Sequence, residues 1–206
     1  MSHSATATAR GRPREFDTDE VLDRVLQLFW VEGFESTSIA DIVAATGLNK
    51  SSLYNAFGSK EALFERALER YITQRLTILA DALTRGTGGL DDIETFFEMI
   101  QEEILSESGS RGCLAVNAST ELGYRDEQAQ EAGRRYRSQI RSALAAALAR
   151  AEQRGEIAPG TAGVYADVLL PWMLGMSVVA RGGADREELA AALTAGRALV
   201  RSWRIA

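Results

Sequence analysis

The chain has 206 residues, with 23 basic and 29 acidic side chains, one His, one Cys and a formal net charge of -6. That length allows one or two domains with a core that needs neither a disulfide nor a metal. One Cys excludes an internal disulfide and points to a reducing compartment, the cytoplasm. One His, His3, argues against His-based catalysis and metal sites, and the acidic total argues against nucleic acid until the charges are placed.

Residues 1–13 have no apolar periodicity. With Arg10, Arg12 and Arg14 nearby and no acid before residue 15, they read as a flexible basic arm. No apolar run follows these charges, so the arm is not read as a secretory leader. The first helix opens at Asp17-Thr18-Asp19-Glu20. Asp17 is the cap and Glu20 is placed to reach back in a capping box. Val21, Leu22, Val25, Leu28 and Phe29 form its apolar stripe, and Gly33 stops it.

A short second helix runs from about Ser38 to Thr46, with Ile39, Ile42 and Val43 inward, and Gly47 ends it. A third runs from Asn49 or Lys50 to about Ala56, anchored by Leu48, Leu53 and Phe57. A fourth starts at about Ser59 and turns Leu63, Phe64, Ala67, Leu68, Tyr71 and Leu76 to the core. Gly86–Gly89 is a loop without the Lys-Ser/Thr ending of a phosphate-binding P-loop. Further helices are expected over 90–106, 112–122, 126–154, 161–181 and 185–202. The most apolar stretch, 164–180, is interrupted by Asp167, Pro171 and Gly175 and reads as a core or interface helix, not a membrane span. The expected class is all-α.

Residues 38–57 carry the functional signal. Two short helices meet at Gly47. Ala40, Val43, Ala44, Leu48 and Leu53 are expected between them, and the second helix exposes Asn49, Lys50, Ser51, Ser52, Tyr54 and Asn55. This is the pattern of a helix-turn-helix. Lys50 and Asn55 can reach base edges or phosphates, the serines can donate to either, and Tyr54 can reach a backbone oxygen. Only two of the 23 basic residues are lysines, Lys50 and Lys60, and they flank this helix. Lys60 opposes the dipole of the helix it starts, so it is either solvated or meets another partner such as a phosphate.

Phe34-Glu35-Ser36-Thr37-Ser38-Ile39-Ala40-Asp41-Ile42, Thr46-Gly47-Leu48-Asn49-Lys50-Ser51-Ser52-Leu53-Tyr54, Phe57 and Ser59-Lys60-Glu61-Ala62-Leu63-Phe64 make the region from Arg14 to Tyr71 resemble the N-terminal domain of the TetR family of bacterial transcriptional repressors. The resemblance implies a helix-turn-helix domain over 14–58 and a ligand-binding and dimerisation domain over 59–206. It also implies phosphate contacts by Thr37, Lys50, Tyr54 and Lys60, with Ser51, Ser52 and Asn55 nearest base edges. Arg10, Arg12 and Arg14 either add contacts to DNA or form a solvated tail. At Asn55 and Ala56 the chain departs from the family pattern, which bears on the operator sequence and not on the fold.

The resemblance further implies a homodimer, a double-stranded palindromic operator and a small-molecule effector held among the C-terminal helices. Phe96, Phe97, Met99, Cys113, Asn117, Tyr165, Trp172, Met173 and Met176 are the residues of a type that lines such a pocket, or they are core. Gly112-Cys113-Leu114 with Asn117 is similar to a branch of the family in which some members sense electrophiles through this cysteine. A thiol in the first turn of a helix, beside Arg111, fits that role, and a structural cysteine fits the same position. No cofactor or metal is expected. An enzyme is not expected either, because acidic pairs such as Glu102 and Glu103 adjoin on a helix and diverge. A helical interaction module is the remaining alternative, and it would show no salt-dependent DNA binding.

Overall fold

The computed structural model describes residues 16–84 and 88–205, so Arg10, Arg12, Arg14 and the first half of the 86–89 loop lie outside the described residues. The described residues form nine α-helices. They are α1 (Thr18–Glu32), α2 (Ile39–Thr46), α3 (Lys50–Phe57), α4 (Lys60–Ala82), α5 (Leu90–Ile104), α6 (Leu114–Glu121), α7 (Glu127–Gln153), α8 (Ala162–Arg181) and α9 (Arg186–Ser202).

Short polar side chains start the first four helices. Asp17 Oδ1 accepts from the amides of Asp19 at 2.8 Å and Glu20 at 3.4 Å. The expected capping box does not form there, because Glu20 pairs along its own helix with Arg24 at 2.6 Å. It forms on α2 instead. Ser38 Oγ accepts from the Asp41 amide at 3.2 Å while Asp41 Oδ2 accepts from the Ser38 amide at 2.8 Å, satisfying two amides that the helix cannot. Asn49 caps α3 through the Ser52 amide and Ser59 caps α4 through the Ala62 amide. Gly47 ends α2 at φ 71°, ψ 4°, a left-handed turn that aims α3 across α2 and that a Cβ would strain.

Val25, Phe29, Ile42, Leu53 and Leu63 form the core of α1–α4. Phe64 of α4 meets Phe29 edge-on at 5.0 Å and Phe34 at 4.9 Å. On α2 the burial differs from expectation. Ala40 and Ala44 are exposed, Ile39 and Val43 are half-buried, and Ile42 and Thr46 fill the interior. Arg70 of α4 forks onto Asp23 of α1 at 2.6 and 2.8 Å and holds that carboxyl below its ordinary range. Further along, α4 enters the body, where Arg75 meets Glu103 of α5 at 2.5 Å.

In the body α7 and α8 form the most extensive helix pair, and α9 lies against α5. The expected helix over 112–122 is shorter: a 3-10 turn, Gly109–Arg111, precedes it and Cys113 is its N-cap residue. Although α8 is long and apolar enough to cross a membrane, it packs on α7. It still exposes Val164, Val168, Val178 and Val179, and α9 exposes Leu199.

Candidate DNA-reading face and effector region

The eight residues of α3 divide cleanly. Leu53 and Phe57 are buried, while Lys50, Ser51, Tyr54 and Asn55 are exposed and Ser52 is half-buried. Asn49 spends its side-chain oxygen on the cap. Lys50 Nζ lies 5.9 Å from the Tyr54 ring centroid, so ammonium and phenol share one patch of surface. Two of the expected contact residues are placed differently. Thr37 is buried and its hydroxyl donates to the Gly33 carbonyl at 2.6 Å, so that group stays inside the protein. Lys60 Nζ sits over the Phe34 ring, 4.3 Å from its centroid. A cation–π partner within the chain offsets the unfavourable dipole at that position, so a phosphate is not needed to explain it. Arg14 lies outside the described residues.

The expected effector residues do not form one lining. Phe97 stacks on Trp172 at 4.8 Å and meets Phe96 edge-on at 6.2 Å, and Tyr165 stacks on Trp203 at 4.0 Å. Met176 is buried and Met99 half-buried. Asn117 Nδ2 donates to the Arg111 carbonyl at 3.0 Å. Cys113 and Met173 do share a cavity, bounded also by Trp30, Arg75, Glu103 and Tyr136. Its free volume is about 20 Å³, room for roughly one water molecule.

Sequence reasoning missed the polar groups of this region. The buried Cys113 thiol donates to the Tyr136 hydroxyl at 3.4 Å. Among the described residues, the Tyr71 hydroxyl and Arg75 Nε are buried without a hydrogen-bond partner. Burial, then the adjacent Cys113 and Tyr136, hold the Tyr71 phenol well above the ordinary tyrosine range. Burial and Cys113 do the same to Tyr136, outweighing Arg75. Burial is the largest influence and opposes the charge on Arg75, but Glu103 together with Tyr71, Tyr136 and Cys113 outweighs it and the guanidinium stays protonated. A Tyr at helical spacing reads as core, as Tyr71 did, and no local motif links it to Arg75, Glu103 and Tyr136.

Two sets of contacts join this region to α1–α3. The Trp30 indole of α1 donates to the Gly112 carbonyl at 3.1 Å, and Arg181 of α8 donates to the carbonyls of Trp30 and Arg111 at 3.1 and 3.0 Å. Gly112 has φ +65°, and an added Cβ would stand 2.7 Å from the Ser177 carbonyl oxygen, so α8 can approach only a glycine there. At the other end of α6, Glu121 accepts from the Phe34 and Glu35 amides at 3.2 and 2.8 Å. One short helix therefore carries Cys113 at its start and, at its end, the grip on the loop before α2.

Family models match both regions. Residues 21–67 match "Bacterial regulatory proteins, tetR family" and residues 89–196 match "Tetracyclin repressor-like, C-terminal domain". The chain belongs to the TetR family of bacterial transcriptional regulators. It is 35% identical over 184 residues to the HTH-type transcriptional repressor ComR of Escherichia coli (strain K12), covering 88% of this chain and 87% of that protein. It is 31% identical over 192 residues to the repressor BdcR of the same strain, covering 92% of each. Among solved structures, a cysteine mutant of the TetR family regulator CifR complexed with 26 bp operator DNA matches at TM-score 0.74 and 30% identity, covering 94% of this chain and 100% of that one.

Proposed function

We propose that this protein is a dimeric, cytoplasmic repressor that binds a palindromic operator through α3 and releases it when a small molecule binds among the body helices. The observation that carries the reading is the exposed polar face of α3, with Lys50, Ser51, Tyr54 and Asn55 uncovered on a short, doubly anchored helix. Phosphates would take Lys50 and Tyr54, and base edges would take Ser51, Ser52 and Asn55. The exposed valines of α8 and Leu199 of α9 supply the apolar face for a two-fold four-helix interface. Such a dimer sets two α3 helices about 34–36 Å apart, one turn of DNA. Named repressors among the relatives, and an operator complex in a structural neighbour, support repression through DNA.

Selection of bound fragments from a random duplex library by the full-length protein tests this reading. A palindromic site whose affinity falls steeply with salt is expected, and no enrichment would reject it.

A second reading concerns the signal, with Cys113 as the sensor. The space beside its thiol is far below the ~300–1,000 Å³ of ordinary small-molecule pockets, which favours a compact electrophile over a bulky ligand. Adduct formation there would press on Gly112, and so on Trp30 of α1. The test is alkylation of the protein before operator binding. Unchanged affinity with Cys113 fully modified rejects the sensor and leaves the repressor reading standing.

A further inference from the structure

A cleft of about 380 Å³ separates the first half of α4 from the end of α6 and the start of α7, away from the Cys113 cavity. Its floor is apolar, with Phe64 and Leu68 of α4 facing Leu122, Ala129 and Ala132. Its rim is acidic, with five carboxylates and two guanidinium groups. Four of these carboxylates have work within the protein. Glu69 pairs with Arg135, Glu131 pairs with Arg134, Asp126 caps α7, and Glu61 is held by the cap of α4. Arg66 is committed as well, lying over the Phe57 ring at 4.7 Å.

Glu65 differs from them. Among the described residues no cation pairs with it, and its hydrogen-bond partner is a neutral one, the Gln128 amide. Partial burial, then Asp126 and Glu61, raise its pKa above the ordinary glutamate value. Its carboxylate thus stands in a negative field at the edge of an apolar floor, and a cation placed there would relieve that field.

We propose that this cleft is a second effector site, and that its ligand is a lipophilic organic cation whose apolar body lies on the Phe64–Leu68–Leu122 floor with its charge beside Glu65. An anion is repelled by the rim. A small hydrated cation gains nothing from the floor. A neutral apolar molecule leaves the negative field around Glu65 unrelieved and binds more weakly. The walls come from α4, which packs on α1, and from α6 and α7, so an occupant fixes the spacing of the DNA-reading helices against the body. Binding in the cleft does not depend on the operator reading, while its role as an effector site rests on that reading.

The test is calorimetric titration of the full-length protein with tetraphenylphosphonium, and with triphenylphosphine oxide as a neutral comparator. One saturable site is expected, with the cation bound about tenfold more tightly, the size of a partly screened ion pair. Glu65→Gln should remove most of that preference and leave the neutral compound unchanged. Ala132→Trp should block both probes by filling the floor, and Cys113→Ser should change neither. Circular dichroism checks the fold of each variant, and Glu65→Gln alone decides if Ala132→Trp does not fold. Absence of saturable binding, equal affinity for the two probes, or cation affinity unmoved by Glu65→Gln would overturn the proposal.

Discussion

The outer face of α3 and the cluster around Cys113 are both built from polar side chains, and they are used in opposite ways. On α3, Lys50, Ser51, Tyr54 and Asn55 are exposed to solvent. Around Cys113, the thiol, two phenols, a guanidinium and a carboxylate are turned on one another in the interior, where an unmatched group is costly. Under the proposed function, the difference separates reading from sensing. Recognition needs donors that lose little by exchanging water for DNA. A trigger needs groups whose balance one added atom can upset. The Trp30–Gly112 and Glu121–loop contacts join the body to α1 and to the loop before α2, and they are where the proposed signal would pass.

The strongest way to break this comparison is to open the core beneath the DNA-reading helices. Phe29 is buried and touches both Phe34 and Phe64. Phe29→Ala should lower stability by about 3–5 kcal/mol, read by denaturant unfolding, and should abolish operator binding with it. Next is the interior cluster. Glu103→Gln removes the carboxylate facing Arg75 and should cost about 2–3 kcal/mol, less than a fully buried pair because Glu103 is partly exposed. Urea midpoints at unchanged m would show it, and a negligible loss would mean that Arg75 finds another partner.

A smaller effect isolates the outer face. Lys50→Ala should leave stability unchanged and weaken operator binding about fivefold to tenfold. It should also flatten the logarithmic salt slope by roughly one for each phosphate that no longer meets an ammonium. The smallest effect comes from Glu65. A carboxyl whose folded pKa is raised binds its proton more tightly folded than unfolded. Stability therefore falls as pH rises from the ordinary glutamate value through the raised one, and the loss is complete above it. Glu65→Gln should remove that decline and raise the neutral-pH midpoint slightly, whereas the lowered pKa of Asp23 gives stability that is lost on acidification.

The sequence carried the local part of this picture. Asp17 caps α1 as expected, the next three helices start within a residue of the expected Ser38, Asn49 or Lys50, and Ser59, and Gly47 makes the turn between α2 and α3. Local competition was less legible. Glu20 had two partners in reach and took Arg24, and Ala40 and Ala44 look like packing residues on a helix too short for its pattern to fix a face. Thr37 carries a hydroxyl that suits phosphate and an inward carbonyl equally, and only the loop geometry directs it to Gly33. The cluster at Cys113 was illegible for a different reason. Tyr71, Glu103 and Tyr136 lie on three helices distant in sequence, and no spacing rule brings them together.

The central claim is that the exposed side chains of α3 read the operator while the body carries the signal. The most direct measurement is the affinity of full-length protein for its selected operator, and for single-base variants of it, with Asn55→Ala beside the unaltered chain. The account predicts that Asn55→Ala loses discrimination at symmetric positions in the two half-sites, by about 1–3 kcal/mol at each, with unfolding midpoint and dimerisation unchanged. Discrimination that stays intact in Asn55→Ala, and also in Ser51→Ala and Ser52→Ala, would contradict it.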